Sequence, residues 1–171
     1  MDGYIHVYTG NGKGKTTAAL GLALRAVGAG KKVFIAQFIK GRPYSEIEAI
    51  TRFLPGICLR QYGRGCFIFH KPEEEDIAAA KHGLAAVGEI IAGGQYDVVI
   101  LDEACIAVYF HLFPVQELIN ILAKKTGTME IVITGRYAPA ELIEIADLVT
   151  EMKEVKHYYS NGVEARKGIE F

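Results

Sequence analysis

The sequence predicts an α/β fold: one domain, residues 1–171, in which a mostly parallel sheet carries helices on both faces. Two observations predict it. Short segments rich in β-branched and aromatic residues alternate with segments of helical period along the whole chain, with no internal repeat and no low-complexity linker. Half of the residues are hydrophobic, enough for one sizeable core, whereas splitting 171 residues would leave two pieces with poor ones.

Tyr4 to Thr9 reads as the first strand, and a Gly-rich turn leads into an Ala- and Leu-rich helix from Lys15 to Val27, closed by Gly28 and Gly30. Lys32 to Phe38 is the second strand. Ser45 to Leu54 is a short helix with Ser45 as N-cap and Glu48 three residues on, a capping-box pattern, and Pro55-Gly56 end it. Ile57 to Tyr62 is the third strand, followed by a loop of Gly, Arg and aromatic residues from Gly63 to Lys71. Pro72 opens a long helix whose first turn holds Glu73, Glu74 and Glu75, where carboxylates suit the helix dipole. Its apolar face runs Ile77, Ala80, Leu84, Val87, Ile91, and Gly93-Gly94 stop it. Asp97 to Leu101 is a continuous apolar run, as expected of a central strand covered on both faces. Pro114 to Lys125 is helical with Val115, Leu118, Ile119 and Leu122 inward; Glu130 to Thr134 is a buried strand; Pro139 to Ala146 is a short helix; Leu148 to Met152 is a last strand. In such sheets ligands bind beyond the carboxyl ends of the strands.

The net charge is −1, so no global field draws the protein to nucleic acid or to an acidic membrane. Cys58, Cys66 and Cys105 are odd in number and lack C-x-x-C spacing, which argues against a disulfide framework or a zinc ribbon and for reduced thiols in the cytoplasm. The five histidines show no metal spacing, so no protein-bound transition metal is expected. No signal peptide and no bilayer-spanning run is read from the sequence.

The strongest motif is Gly10-Asn11-Gly12-Lys13-Gly14-Lys15-Thr16-Thr17, a P-loop between a strand and a helix. Glycines let the backbone wrap phosphate oxygens, and the helix N-terminus adds a positive dipole end. Lys15 supplies a cation for the outer phosphates, and Thr16 a hydroxyl for Mg²⁺. The pattern departs from G-x-x-x-x-G-K-[ST] at one position: Thr9 stands where the first Gly belongs, and Gly10 comes one residue late. A second motif, Val98-Val99-Ile100-Leu101-Asp102-Glu103, is an apolar strand ending in acids that suit the Mg²⁺ shell, and pattern alone leaves open which of Asp102 and Glu103 serves. A third, Ile133-Thr134-Gly135-Arg136, puts a guanidinium beside the phosphate mouth. Arg25, nine residues past Thr16, either reaches the nucleotide or pairs with a carboxylate. Phe67 and Phe69, in Arg64-Gly65-Cys66-Phe67-Ile68-Phe69-His70, either line a flat apolar ligand or fill the core, the commoner role for such a pair.

Taken in order, Thr9 to Thr17 with its displaced glycine, Gln37-Phe38-Ile39-Lys40-Gly41, Leu101-Asp102-Glu103, Ile133-Thr134-Gly135-Arg136, Val155-Lys156-His157 and Gly168-Ile169-Glu170-Phe171 resemble the ATP:corrinoid adenosyltransferases of the P-loop type over nearly the whole chain. The resemblance implies a RecA-like or Rossmann-like domain that transfers the 5′-deoxyadenosyl group of ATP to the Co(I) of a reduced corrinoid and releases intact triphosphate, in adenosylcobalamin biosynthesis or salvage. Cobalamin, cobinamide and cob(I)yrinic acid a,c-diamide share this cobalt chemistry. It implies that Gly10 through Thr17 hold ATP, that Lys15 and Arg136 act on the departing triphosphate, and that Glu103 matches the metal-side acid better than Asp102. It gives Phe67 and Phe69 the lower face of the corrin, where the family has Phe-x-Trp. It also implies Mg²⁺, a homodimer, and a reduced flavoprotein as electron donor. Family members often carry an N-terminal segment over the active site; here the first strand begins by Tyr4, so that cover is missing or supplied otherwise. The competing readings are a small P-loop kinase or ATPase, and a module that binds nucleotide or corrinoid without turnover.

Overall fold

The computed structural model describes residues 2–42, 44–65 and 71–171. Its elements are β1 (Ile5–Thr9), α1 (Lys15–Gly28), β2 (Val33–Phe38), α2 (Ser45–Phe53), β3 (Ile57–Tyr62), α3 (Glu74–Gly93), β4 (Val98–Asp102), α4 (Ala104–Tyr109), α5 (Val115–Leu122), β5 (Glu130–Thr134), α6 (Ala140–Ile145) and β6 (Leu148–Glu151). The strands form one six-stranded sheet in the order β3-β2-β4-β5-β1-β6, and every pairing is parallel. Because all strands run one way, Thr9, Asp102 and Thr134 finish at the same edge, with β5 lying between β1 and β4.

Side chains alternate across the pleat and divide the core in two. On β2, Val33 and Ile35 join the layer under α1 and α2, whereas Phe34, Ala36 and Phe38 join the layer under α3, α4, α5 and α6. The α1 layer is thin because its buried contacts are Ala19, Ala23 and Ala26, spaced to fall on one helical face. Small residues bring α1 close to the sheet, so its N-terminus sits directly beyond β1. Phe38 is fully buried against Phe113 and Tyr62, with ring centroids 5.5 and 6.0 Å away. Burial of this kind stabilises by about 1.5–3 kcal/mol per side chain and anchors the last residue of β2 before the loop to α2.

The six strands lie where the sequence places them, to within a residue or two. The helix starts differ. Tyr44, not Ser45, is the N-cap of α2: Ser45 is its first helical residue and its hydroxyl donates to the Phe171 carbonyl, 3.0 Å away. The capping box expected at Ser45 and Glu48 is therefore absent, and Glu48 pairs with Arg52 one turn on instead. Pro72 precedes α3 rather than opening it; Glu73 is the N-cap, and the Asp76 carboxylate accepts the Glu73 N–H at 2.9 Å. Gly94, left-handed at φ 61°, closes α3 as expected. Helix α4 has no counterpart in the sequence reading, because six apolar residues without a capping signal carry no readable period.

Candidate functional site

The turn after β1 is shaped by its neighbours. Thr9 belongs to the strand and its hydroxyl accepts the Ala138 N–H at 3.3 Å, so the turn begins only at Gly10. Gly10 is at φ 93°, and a Cβ there would lie 2.5 Å from the Met152 carbonyl oxygen. At Gly12 a Cβ would lie 2.7 Å from the same oxygen, which accepts the Gly12 N–H at 2.7 Å. The displaced glycine thus has a local cause: the chain leaving β6 runs directly along the loop. Gly14 caps α1 at φ 121°, and the first turn of α1 holds no acidic residue, so its positive end is uncompensated.

The Lys15 ammonium is nearly buried and donates to the Gly10 and Gly12 carbonyls, both at 2.7 Å. Burial lowers its pKa below the usual lysine value, with Glu103 opposing. Lys13 points the other way, to the Glu170 carboxylate (2.7 Å), the Ile169 carbonyl (3.0 Å) and the Tyr158 hydroxyl (3.1 Å).

Asp102 is the hub. It is buried at the end of β4; its Oδ1 accepts the hydroxyls of Thr16 at 2.8 Å and Thr134 at 2.7 Å, and its Oδ2 accepts Lys40 Nζ at 2.7 Å and Gln37 Nε2 at 3.2 Å. Burial works against the Lys40 ammonium, but the adjacent Asp102 carboxylate outweighs it and holds the pKa above the usual lysine value. Lys40 follows an unusual turn: its N–H donates to the Phe38 carbonyl at 2.7 Å across Ile39, whose φ is 66°. This is a γ-turn of the rare, strained kind, and a β-branched residue at positive φ is itself an outlier.

Glu103 also has positive φ, 60°, and its N–H donates to Thr134 Oγ1 at 3.0 Å. Thr134 therefore ties both acids to the end of β5. Burial pushes the Glu103 carboxyl above the ordinary carboxylate value, and Asp102 beside it adds to the rise. Gly135, at φ 141°, packs on α4 so closely that a Cβ would lie 2.8 Å from that of Cys105. Arg136, the next residue, lines the cavities beyond this turn.

Two adjoining cavities open here. The larger, about 930 Å³, is lined by the P-loop, by Glu46 of α2, and by tail residues including His157, Ile169 and Glu170. The smaller, about 380 Å³, adds the apolar side chains of Ile39, Ile106 and Phe110. Lys40, Arg42, Tyr44, Glu103 and Arg136 line both.

Of the residues singled out in the sequence, Gly12 through Thr17, Glu103 and Arg136 line the larger cavity, Gly10 accepts the Lys15 ammonium, and Asp102 binds Thr16. Asn11 is exposed on the loop. Arg25 lies exposed in the last turn of α1 and lines neither cavity. Phe67 and Phe69 lie outside the described residues. Sequence reasoning missed the roles of Gln37, Lys40 and Thr134. The first two stand in Gln37-Phe38-Ile39-Lys40-Gly41, a polar pair around a buried Phe, which is the signal that marks them. His157, Ala165 and Gly168 to Phe171 of the tail form part of the wall of the larger cavity.

The profile of the family described as ATP:corrinoid adenosyltransferase BtuR/CobO/CobP matches residues 1–171. A corrinoid adenosyltransferase of Escherichia coli (strain K12) is 38% identical over 99% of this chain and 86% of its own length. The corrinoid adenosyltransferase CobA of Salmonella typhimurium is 38% identical with the same coverage, and one from Pseudomonas aeruginosa is 35% identical over 99% of this chain and 84% of its own.

Proposed function

The chain belongs to the ATP:corrinoid adenosyltransferase family, and from that premise we propose that the larger cavity holds the triphosphate of ATP while the smaller one faces the corrinoid. The protein transfers the 5′-deoxyadenosyl group of ATP to the cobalt of a reduced corrinoid. The observation that carries the assignment of parts is the shared wall: a cationic P-loop cavity and a more apolar one meet at Lys40, Arg42, Tyr44, Glu103 and Arg136. Two substrates that must touch at one atom need such a junction.

In the reaction, Co(I) donates an electron pair to C5′ of the ribose and becomes Co(III). The Co–C5′ bond forms, the C5′–O bond breaks, and triphosphate departs with the electrons of that bond. The protein's task is to hold the leaving group and accept its charge. On this reading Lys15 turns from its own loop carbonyls to the phosphates, Arg136 adds a second cation at the mouth, and the N-terminus of α1 supplies aligned dipoles. The pairing of Thr16 with Asp102 fixes the hydroxyl, and Thr134 fixes both acids.

The donor set fits Mg²⁺. Thr16, Asp102 and Glu103 offer only oxygen, which suits a hard cation, and an ammonium, that of Lys40, already sits against Asp102 and Thr16. Among the described residues no group of three or more His, Cys, Asp or Glu could hold a metal alone, so nucleotide oxygens would complete the shell. When bound, Mg²⁺ supplies charge neutralisation on the triphosphate. Phe67 and Phe69 are the residues given to the corrin face, with cob(I)yrinic acid a,c-diamide, cobinamide and cobalamin as candidate substrates. A homodimer and a reduced flavoprotein donor complete the reading on family resemblance. No helix among the described residues is long and apolar enough to cross a membrane.

The test mixes protein, ATP, Mg²⁺ and chemically reduced corrinoid, and follows a light-sensitive adenosyl–cobalt spectrum together with released triphosphate. ADP and phosphate as sole products would overturn the assignment and favour a kinase or ATPase. Lys15→Ala is expected to abolish transfer while the far-UV spectrum stays unchanged.

A further inference from the structure

The larger cavity brings lysines toward the phosphates, yet Lys40 is committed elsewhere. Its ammonium lies 2.7 Å from Asp102 Oδ2 and 3.4 Å from Thr16 Oγ1, the groups proposed to serve a divalent cation. Asp102 is almost fully buried and Lys40 mostly so, which makes the pair hard for water to replace. A strained γ-turn at Ile39 delivers it, and the Tyr44 ring centroid lies 5.5 Å from Nζ. A divalent cation drawn to these oxygens would lie close to the Lys40 ammonium, and the two like charges repel, so each disfavours the other.

We propose that Lys40 is a cation gate: its ammonium and the divalent metal bind the Asp102 and Thr16 oxygens in alternation, so that metal enters together with nucleotide, whose phosphates receive the displaced ammonium. This rests on the reading of the larger cavity as the ATP site. Lys40 lines that cavity, so the phosphates lie within its swing. The exchange also has a route to the second cavity. Gln61 donates both to Gln37, itself bonded to Asp102, and to the Arg42 carbonyl. Arg42 Nε donates to the Gly65 carbonyl at 2.6 Å, and Gly41 packs so closely on Gly63 and Gly65 that a Cβ would lie 2.4 and 2.3 Å from their backbone atoms. Gly41 and Arg42, next along the chain from Lys40, are therefore held by the segment around Gly63 and Gly65, and Lys40 and Arg42 both line the wall shared by the two cavities. On this proposal Lys40 sets when the metal is admitted.

The test is Mn²⁺ binding by electron paramagnetic resonance, with neither ATP turnover nor corrinoid present, so its outcome is independent of the transfer reaction. Wild type is expected to bind Mn²⁺ weakly alone and at least about tenfold more tightly with a non-hydrolysable ATP analogue. Lys40→Met is expected to bind Mn²⁺ alone at least about tenfold more tightly than wild type, and its melting temperature to rise with Mn²⁺ alone. Lys40→Arg, which keeps the charge, is expected to behave as wild type. Equal Mn²⁺ affinity in wild type with and without the analogue overturns the gate, even if Lys40→Met does not fold. So does a Lys40→Met affinity for Mn²⁺ alone within about twofold of wild type, or a Lys40→Arg variant that binds like Lys40→Met.

Discussion

Replacing Thr134 by Val removes one hydroxyl from the centre of the site and almost nothing else. Thr134 is fully buried and Val has nearly its shape, so packing is preserved. The loss is polar and falls on both acids. Asp102 loses a 2.7 Å donor, and the Glu103 N–H, held at 3.0 Å, is left without its acceptor at a residue already at positive φ. An unpaired buried N–H costs about 1–3 kcal/mol and a hydrogen bond to a charged group contributes about 1.5–3 kcal/mol, so a net destabilisation of about 3 kcal/mol is expected. For a domain of this size that corresponds to a fall in melting temperature of about 6–12 °C. Chemical and thermal denaturation measure it, with Thr134→Ser as control. Serine keeps the hydroxyl and loses a methyl, for about 1 kcal/mol. A Val variant within about 0.5 kcal/mol of wild type, or a Ser variant as damaged as Val, would refute the pinning role.

Glu103→Gln is expected to stabilise the protein as pH rises. The folded-state pKa of Glu103 is raised, so between the ordinary carboxylate value and that raised one the folded protein binds more protons than the unfolded; stability therefore falls with increasing pH, and glutamine removes the fall. Denaturation curves of equal stability for both proteins from acid to neutral pH would refute it. The Cys105 thiol is fully buried and its pKa is pushed up to about 12 by burial, with Glu103 adding to it. Mass spectrometry after alkylation near neutral pH should find Cys105 unmodified in the folded protein and modified in denaturant; equal labelling in both would contradict the burial. Glu170→Gln cuts the carboxylate that holds Lys13, Tyr158 and Arg166 together. Amide exchange should quicken across residues 157–171 but not in β4 or β5, and KM for ATP should rise a few-fold with kcat little changed. Unaltered exchange in the tail would show that another contact holds it.

The sheet was legible because each strand is a short β-branched or aromatic run between turn signals, and Asp97 to Leu101 is apolar throughout, as double coverage demands. Helix α4 was not, since Ala104–Tyr109 is too short for a period to register; it packs against β5 and β2, neighbours that only the folded sheet brings to it. At the site, the P-loop spacing marks Lys15 and Thr16, and in the fold Lys15 donates to the Gly10 and Gly12 carbonyls while Thr16 meets an acid of β4. What no spacing could show was which acid meets Thr16: parallel register brings the end of β4 to the loop through β5, and it is Asp102, not Glu103, whose carboxylate Thr16 touches. The displaced Gly10 was visible in the sequence, but its cause, the close passage of Met152, depends on β6 pairing beside β1. Lys40 was present in a motif that carried resemblance without a role. Its function depends on a γ-turn that residue types do not announce. Arg25 looked available by sequence distance, yet an α-helix rises about 1.5 Å per residue, which carries it far along α1 from the loop.

On the proposed mechanism the P-loop holds triphosphate as a leaving group while the C5′–O bond breaks. ATP labelled with ¹⁸O at the oxygen bridging C5′ and the α-phosphorus tests it directly. After one turnover with a Co(I) corrinoid, all of the label is expected to leave in intact triphosphate, in equal amount to the adenosyl–cobalt product. Label retained on adenosine, or phosphate released without a cobalt–carbon bond, would contradict it.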